Sequence, residues 1–466
     1  MRHNGYRDRG ISAGTGYYYA GMAGAIAVIA AAQLIWLPAP LETAGGMQWI
    51  EMIDWLLLTI AFIPLMWGIG AYVRTRAKES PRWLNALRML LAVLAFGTAC
   101  YIVIAPGRFL EQIVLLVILC ILQLTEMIVS ETREGGRHRV PRRSIAVLLA
   151  FAMLLAVLLW PTGYRVTYPG MTVNMQRYAH VEGGEEGSVV DGVLVFERPA
   201  VAADWLYAKL FPLYRFERIP DNEPPLTETF AEVVAMKRSA NDVAAAIAME
   251  KAGIGKGVVP EGVRIVAVTK GSPAEGRLRA GDVIVGLDGK PVQRMEELAA
   301  YMLEAVKPGQ IVYIDVVRSG TREEAIEVPT VEAVDDGGKR AVMGISIEPD
   351  VRLDKPREMT YESYIAHLGG PSHGAMLTLA IYEQLTGDSV SQGLRVAGTG
   401  TIEYDGSIGM VGGIPQKAYA VSRTGADVFF VPSAGAEAAR NAAPDLNVVA
   451  VDTFDEVLDW LEQYGK

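Results

Sequence analysis

The sequence predicts a membrane-anchored chain of several domains: an N-terminal α-helical bundle of about five transmembrane spans, then a β-rich domain with two helices, then a C-terminal α/β domain. Three observations lead to this prediction. The 466 residues are 51% hydrophobic with a mean hydropathy of +0.23, which is high for a wholly soluble protein. The five longest apolar runs precede residue 164. After them, short β-rich runs and helical periods alternate between turn-rich segments.

Each of the five apolar runs approaches the length that a membrane crossing requires, which is about 20 residues with a range of about 17–25. Four runs reach this length. The fifth is slightly short, but Arg142, Arg143 and Trp160 flank it as interfacial residues do. The alternative, a set of buried helices in a soluble core, fits these lengths less well. The predicted spans are residues 17–37, 55–73, 89–105, 113–129 and 145–160.

The connections between the spans alternate in Lys and Arg content. The N-terminal segment carries three arginines, the second and fourth loops carry five basic residues each, and the first and third loops carry none and one. Because basic loops stay in the cytoplasm, we predict a cytoplasmic N-terminus and an extracytoplasmic location for everything after Trp160. Glu126 is the one charge inside the predicted spans, and its place near the cytoplasmic end favours snorkelling over a proton or ligand site.

Charge and cysteine content exclude several classes of protein. Residues 1–164 hold 14 Lys and Arg against 9 Asp and Glu, whereas the remainder holds 29 against 44, which argues against nucleic acid as a partner. Cys100 and Cys120 both lie in apolar runs, which excludes a disulfide framework and a Cys-based metal site. The five histidines have no HxxxH or HxxE spacing, and the sequence has no GxxxxGK[ST] motif. We therefore expect no metal, no cofactor and no ATP.

Changes in composition divide the chain into predicted regions. Residues 1–164 form the transmembrane region, and residues 165–235 are expected to be a small β layer with a spacer. Residues 236–332 form the β-rich domain. A polar, turn-rich linker at 335–339 leads into the last domain, residues 340–466.

The β-rich domain carries the string GSPAEGRLRAGDVIVGLDGKPV at residues 271–292, between predicted helices at 240–252 and 295–305. This string is similar to that of PDZ domains of the bacterial protease-associated type. The resemblance implies a fold that binds a chain terminus or an extended peptide by strand addition. Only the sequence GIGK at 253–256 resembles the carboxylate-binding loop of the family, and we assign no carboxylate ligands. The alternative is a PDZ fold that only positions its neighbour.

In the last domain, predicted strands and helices alternate, which is typical of α/β layering. The predicted strands are residues 341–347, 394–402, 428–431 and 448–451, and the predicted helices are residues 372–385, 415–424, 434–441 and 454–463.

A candidate nucleophile stands at the start of the first helix of this domain. The sequence GGPSHG at residues 369–374 makes a tight turn in which Ser372 opens an amphipathic helix. The free N–H groups and partial positive charge of a helix N-terminus suit an oxyanion, and a serine nucleophile there would have stabilising donors beside it. From this segment alone, a simple N-cap role for Ser372 is the favoured interpretation.

A nucleophilic serine also needs a base, and histidine is one candidate. His367 is close in sequence, and Asp354, Asp388 or Asp405 could orient it. His373 is adjacent to the serine but would point elsewhere on the helix.

Lys417 is the other candidate base. The pKa of a fully solvated lysine is ~10.4, so it must fall by about 3 units for the amine to be neutral near pH 7. Burial can supply shifts of about 3–5 units. Lys417 lies in an apolar run over residues 408–421, which permits such burial, although a solvated lysine near a helix start remains the favoured interpretation from composition alone.

Two motifs in the last domain resemble those of the Lon proteolytic domain. GPSHG at residues 370–374 looks like the nucleophile motif PSxG of that family. The stretch from residue 399 to 417, with TGTI, DG, GGI and a final lysine, is similar to its second motif, and the 45-residue separation of Ser372 and Lys417 is close to the spacing in the family. The likeness extends over about residues 341–466 and implies that Ser372 is the nucleophile and Lys417 the general base.

The same resemblance implies supporting residues. Thr399 matches a threonine that hydrogen-bonds the lysine, and backbone N–H groups around Pro371 and His373 would stabilise the oxyanion. His373 replaces the small residue often found there and is expected to narrow the pocket. The layout is similar to that of the membrane-anchored PDZ/Lon-domain proteases of Gram-positive bacteria, which lack the ATPase module. Those proteins usually have one anchor, so the four extra spans are unexplained.

The implied function is a membrane-anchored, ATP-independent serine endopeptidase with a Ser-Lys dyad. It would cleave extracytoplasmic or membrane-proximal peptides and unfolded proteins that the PDZ domain recruits or gates. Its expected partners are these substrates and the lipid bilayer, and an oligomer is compatible with the sequence. The alternative is a non-catalytic, membrane-tethered PDZ scaffold that binds peptides. A third interpretation is a transporter or signalling subunit. It would need a continuous polar path across the bilayer, and Glu126 is the one residue in the predicted spans that suggests such a path.

Overall fold

The computed structural model describes residues 13–38, 49–76, 80–134, 140–185, 187–220, 224–335, 338–363, 369–387 and 390–464. The helices are α1 (Ala13–Gln33), α2 (Trp49–Leu58), α3 (Phe62–Thr75), α4 (Arg82–Ile104), α5 (Phe109–Glu134), α6 (Arg142–Leu159), α7 (Met175–Tyr178), α8 (Ala202–Leu210), α9 (Leu226–Lys251), α10 (Met295–Glu304), α11 (Gly374–Thr386), α12 (Ile414–Ser422), α13 (Ala436–Ala442) and α14 (Phe454–Tyr464). Single 3₁₀ turns lie at Thr59–Ala61, Pro371–His373 and Ser433–Gly435.

The strands follow the apolar front part of the chain. They are β1 (Pro161–Asn174), β2 (Ala179–Val181), β3 (Val190–Val201), β4 (Arg215–Arg218), β5 (Gly257–Val268), β6 (Val283–Leu287), β7 (Lys290–Pro291), β8 (Ile311–Arg318), β9 (Thr321–Pro329), β10 (Val331–Asp335), β11 (Gly338–Val342), β12 (Ile345–Asp354), β13 (Met359–Tyr361), β14 (Val396–Gly398), β15 (Thr401–Ile402), β16 (Ile408–Gly409), β17 (Val428–Pro432) and β18 (Val448–Val451).

The described residues of the front part include five helical segments that are long and apolar enough to cross a membrane, as predicted. The second segment is built from α2, the following 3₁₀ turn and α3. No more than a third of each segment is buried, so broad apolar faces remain exposed. Such faces suit contact with lipid chains. The segments are Gly14–Gln33, Met52–Thr75, Arg82–Ile104, Phe109–Arg133 and Arg142–Leu159.

Glu126 on α5 is fully buried inside the helical bundle. Its Oε1 lies 2.6 Å from Arg88 Nε and 3.4 Å from Arg74 Nε, and it accepts a hydrogen bond from Ser130 Oγ at 2.8 Å. The expectation that Glu126 snorkels to the interface is therefore wrong. Arg74 and Arg88, which the sequence places in the second loop, instead lie in α3 and α4, where they pair with the carboxylate.

We expect Glu126→Gln to destabilise the bundle, because it leaves two buried guanidinium groups without their counter-charge, at a cost of about 3–5 kcal/mol. The matched control is Glu111→Gln, since Glu111 pairs with Arg108 at the surface and such pairs contribute about 0–1 kcal/mol. The thermal melting temperature of the detergent-purified chain measures both effects. Equal shifts for the two variants would contradict a structural role for the buried pair.

A six-stranded mixed sheet with the order β18-β17-β14-β3-β1-β4 forms the centre of the C-terminal half. β3, β14, β17 and β18 are parallel to one another, and β1 is antiparallel to β3 and β4. Side chains of α9, α11 and α14 pack on one face, and side chains of α12 and α13 pack on the other. The predicted α/β layering is confirmed.

Residues 165–235 differ from the expected separate β layer with a spacer, because they supply β1, β3 and β4 of this same sheet. The reason is the pairing of β3 with β14, in which Val190 lies opposite Val396 in a parallel ladder. Val190 and Val193 are buried, so β3 is a central strand of the layered domain.

The second sheet has the order β12-β5-β6-β8-β9, with β7 paired to β6. Together with α10 it encloses a separate hydrophobic core that contains Ile265, Ile284 and Leu298. β12 lies beyond the predicted linker, yet it pairs with β5 along its whole length, from Ile345 opposite Val268 to Asp354 opposite Gly257. The strand predicted to open the last domain therefore completes the preceding β-rich domain.

Candidate active site

Three elements that carry predicted site residues meet at the carboxyl end of β14. Thr399 directly follows β14, Ser372 lies in the 3₁₀ turn before α11, and Lys417 lies in the first turns of α12. Gly400 N donates to Ser372 O at 2.9 Å, and Ala375 N donates to Gly400 O at 3.2 Å. These two bonds fasten the serine turn to the end of the strand. α11 and α12 lie on opposite faces of the sheet, so the end of β14 is where they can converge.

The glycines of the two motifs have steric explanations. A Cβ on Gly374 would lie 2.8 Å from Ile402 N, so only glycine lets the start of α11 approach that strand. Gly413 has a φ of 70°, and its Cβ would lie 2.8 Å from Val195 Cγ1. Gly413 therefore allows the sharp entry into α12, and Lys417 N donates to Gly413 O at 2.9 Å.

Pro371 occupies the first position of the 3₁₀ turn, where its missing N–H is not needed for helical hydrogen bonding. Ser372 and His373 follow it, at the end of the helical segment where N–H groups lack intrahelical acceptors. The region around Pro371 and His373 that is predicted to bind the oxyanion therefore lies at the start of the helical segment.

The Lys417 side chain is only 2% exposed. Burial lowers the pKa of its amine to about 7, and no ion pair to Lys417 exists within the described residues. Nζ donates to Thr399 Oγ1 at 2.9 Å, and Thr399 Oγ1 in turn donates to Ser372 O at 3.0 Å. The threonine hydroxyl has one proton, which goes to Ser372 O, so towards the lysine it must accept.

The directions of these hydrogen bonds leave the Lys417 amine able to act as a base. A neutral amine that donates to Thr399 keeps its lone pair, with which it can accept a proton. Ser372 is half-buried beside this chain of bonds. In the described part of the chain, Lys417 bonds to Thr399 and not to the Ser372 hydroxyl, so the present connection between the two residues runs through Thr399.

Two of the carboxylates that could orient a histidine base accept hydrogen bonds from backbone N–H groups. Asp354 Oδ2 accepts from Lys256 N at 2.7 Å, and Asp405 Oδ1 accepts from Ser407 N at 2.9 Å in the turn between β15 and β16. His367 and Asp388 lie outside the described residues.

The His373 imidazole, which is expected to narrow the pocket, is buried. Its Nδ1 lies 2.8 Å from Gly370 O, its Nε2 lies 3.0 Å from Asn241 Oδ1, and its ring meets the Tyr178 ring edge-on. Asn241 on α9 was not predicted from the sequence. The sequence feature that could have indicated it is a polar amide side chain directly before the Ala-rich stretch 243–249, which is buried.

The GIGK segment at residues 253–256 does not form an open nest for a peptide carboxylate. Gly253 N donates to Glu250 O, Ile254 N donates to Met249 O, and Lys256 N donates to the Asp354 carboxylate. Among the described strands, β12 pairs with β5 alone and β9 pairs with β8 alone, so these two strands are the edges at which strand addition could occur.

Comparison with known families accounts for both C-terminal domains. Residues 236–329 match the PDZ domain family, and residues 366–462 match the C-terminal proteolytic domain of the Lon protease (S16) family. The chain therefore carries a PDZ domain followed by a Lon-type proteolytic domain, behind five apolar helices that fit a membrane anchor. These matches confirm the resemblances drawn from the sequence.

Individual relatives cover only parts of the chain. It is 34% identical over 106 residues to a probable periplasmic serine endoprotease, DegP-like, of Pseudomonas fulva, covering 22% of this chain and 20% of the relative. It is 37% identical over 98 residues to the magnetosome formation protease MamE of Magnetospirillum gryphiswaldense, covering 18% of this chain and 13% of the relative. It is 35% identical over 92 residues to the Lon protease of Chloroflexus aggregans, covering 19% of this chain and 11% of the relative. The chain thus spans a fifth or less of the length of these curated relatives.

Among solved structures, the chain resembles the PDZ domain of the SdrC-like protein of Listeria monocytogenes. The identity is 29%, the coverage is 18% of this chain and 86% of that chain, and the TM-score is 0.17. Together, the family matches and the protease relatives indicate a protease of the serine type.

The low pKa of Lys417 predicts a pH-dependent gain in stability on Lys417→Met. An unfolded lysine keeps its proton up to pH ~10.4, whereas the buried amine loses it near pH 7. The unfolded chain thus binds more protons between these pH values, so the stability of the wild-type chain rises with pH across this window. The variant should be more stable by up to about 4 kcal/mol at pH 7 or below, and the difference should shrink towards pH 10.

Melting temperatures of the detergent-purified wild-type and variant chains, compared at each pH, measure this difference. The matched control is Lys251→Met, because Lys251 is partly exposed and pairs with Asp455, so it should show no such gain. A difference for Lys417→Met that stays constant from pH 6 to pH 10 would contradict a depressed pKa.

Proposed function

We propose that the chain is a membrane-anchored, ATP-independent serine endopeptidase in which Ser372 and Lys417 form the catalytic dyad. The buried amine is the single observation that carries this proposal. Its pKa of about 7 makes a large fraction neutral at physiological pH, and its hydrogen bond to Thr399 holds it beside the serine turn. A base poised near the working pH combines the correct protonation state with a useful driving force.

The proposed reaction is the hydrolysis of a peptide bond. Neutral Lys417 accepts the proton of Ser372 Oγ as this oxygen attacks the substrate carbonyl carbon, and backbone N–H groups at the start of the helical segment bind the oxyanion. Each such donor is worth roughly 3–4 kcal/mol. The lysine ammonium then gives its proton to the leaving amine. Water, deprotonated by the same amine, hydrolyses the acyl-enzyme and returns Ser372 to its hydroxyl form.

Thr399 supports this reaction as a positioning residue. Because its proton is donated to Ser372 O, its oxygen accepts an amine hydrogen and turns the lone pair of Lys417 away from itself. The same hydroxyl links Lys417 to the backbone of Ser372. A shift of α12 or of the serine turn would therefore strain the hydrogen bonds to the other.

The substrates are proposed to be extracytoplasmic or membrane-proximal peptides and unfolded proteins. The sequence contains no P-loop motif that would supply ATP-driven unfolding, so extended segments are the natural substrates. The PDZ domain would recruit them at the edge of β12, the strand that precedes β13 and the Ser372 turn in the chain. The basic loops of the front half favour a cytoplasmic N-terminus, which puts both C-terminal domains on the outer side.

We expect Ser372→Ala and Lys417→Ala each to abolish cleavage of an unfolded protein substrate, because the first removes the nucleophile and the second its base. The matched controls are Ser433→Ala and Lys251→Met, which alter a serine and a lysine at other positions. Cleavage by the chain reconstituted in lipid is followed by gel and by mass spectrometry of the products, and melting temperatures check folding. Full activity of Lys417→Ala, together with loss of activity in His367→Ala, would refute the Ser-Lys assignment.

A further inference from the structure

Helix α8 exposes an unusually apolar surface. Trp205, Leu206 and Leu210 are 44%, 57% and 65% exposed, whereas Asp204 and Tyr207 on the opposite side of the helix are buried. We call these three residues the α8 apolar face. At their spacing they project from one side of the helix, with the exposed Lys209 among them. An exposed apolar cluster of this kind marks an interaction surface.

The helix is held in place by the outer ends of two membrane helices. Tyr207 OH donates to Gln33 Oε1 at 3.2 Å, and Gln33 Nε2 donates to Leu158 O at 2.7 Å. Leu158, near the end of α6, packs in one apolar cluster with Tyr207 and with Ile29 of α1. The α8 apolar face therefore lies beside the C-terminal ends of α1 and α6, two of the five apolar helices.

The opposite side of α8 is fixed to the sheet. Arg198 on β3 forms two hydrogen bonds to the carboxylate of Asp204, at 2.6 and 2.9 Å, and Val201 N donates to the same carboxylate at 2.8 Å. This ion pair, whose carboxylate is fully buried, and the helix cap hold the helix in one orientation. The α8 apolar face therefore stays on the outside.

Aromatic rings surround the face. The Trp205 ring stacks on Phe216 with ring centroids 4.2 Å apart, and the Tyr164 ring meets Trp205 edge-on at 5.6 Å. Tyr164 follows the exposed Trp160, the first residue after α6, by four positions, which is about 13 Å of extended strand. Trp and Tyr side chains concentrate at the boundary between lipid headgroups and acyl chains.

We propose that the α8 apolar face lies in the headgroup–acyl boundary of the bilayer leaflet that the ends of α1 and α6 reach. α8 is then an interfacial helix whose Lys209 extends to the lipid phosphates. This inference rests on the proposed insertion of the five apolar helices. It adds to them a lipid-binding surface on the proteolytic domain itself.

The arrangement sets the position of the catalytic base relative to the bilayer. Trp36, just after α1, packs edge-on against Tyr419 of α12, and Arg423 donates to the carbonyl oxygen of Leu37. α12 also carries Lys417. A domain held at α8 and α12 cannot rotate freely about the end of α6, so its active site stays at a fixed height above the lipid.

Spin-label accessibility tests the inference on the full chain in nanodiscs of phosphatidylcholine and phosphatidylglycerol with one copy per disc. In a Cys100→Ser, Cys120→Ser background, single labels are placed at Leu206→Cys, at Leu149→Cys on the exposed side of α6, and at Leu303→Cys. Leu303 is the matched control because it is an exposed leucine on α10 of the PDZ domain. Power saturation compares collisions with oxygen, which enriches in lipid, and with a water-soluble nickel complex.

The inference expects a ratio of oxygen to nickel accessibility at residue 206 that is several-fold higher than at residue 303 and approaches that at residue 149. A ratio at 206 equal to that at 303, with residue 149 in lipid, overturns the interfacial helix and leaves the membrane spans intact. Low access to both reagents at 206 means that protein covers the face, and this also overturns the inference. Nickel access at residue 149 contradicts membrane insertion itself and removes the basis of both proposals.

Discussion

The burial of one amine that donates its hydrogen bond to a hydroxyl is the constraint on which the C-terminal half depends. Lys417 Nζ is enclosed by α12 and the end of β14, and a hydroxyl rather than an anion receives its hydrogen bond. Every pKa unit by which such an amine is shifted costs about 1.4 kcal/mol of stability at low pH. The packing of the layered domain must offset this cost in stability. The buried amine is then available as a base at neutral pH.

The PDZ and proteolytic domains are joined by more than a linker. α9 packs on α11 and bonds through Asn241 to His373, the residue after the proposed nucleophile, while Lys355 at the end of β12 pairs with Asp242. β12, an edge strand of the PDZ sheet, precedes β13 and the Ser372 turn in the chain. Through these contacts α9, which packs on the layered sheet, links the serine turn to β12 of the PDZ sheet.

Local patterns in the sequence predicted most helices and strands, because periodicity and turn residues are local signals. They did not single out Ser372, Thr399 or Lys417, which were proposed as site residues from the resemblance of two motifs to the Lon proteolytic domain. What they could not predict is pairing between distant segments. β3 pairs with β14 about 200 residues later, and Glu126 finds its arginines on other helices. The direction of the His373 ring depends in the same way on Asn241, which lies 132 residues earlier.

The rate at which a serine-directed acylating probe labels Ser372 tests the central claim most directly, because it needs only the nucleophile and its base. Mass spectrometry locates the adduct in the lipid-reconstituted chain between pH 5 and pH 9. Since only the neutral amine can take the serine proton, the rate should rise with pH, with a midpoint at about 7, and should be lost in Lys417→Met. Absence of labelling at Ser372, or labelling that does not depend on Lys417, would contradict the account.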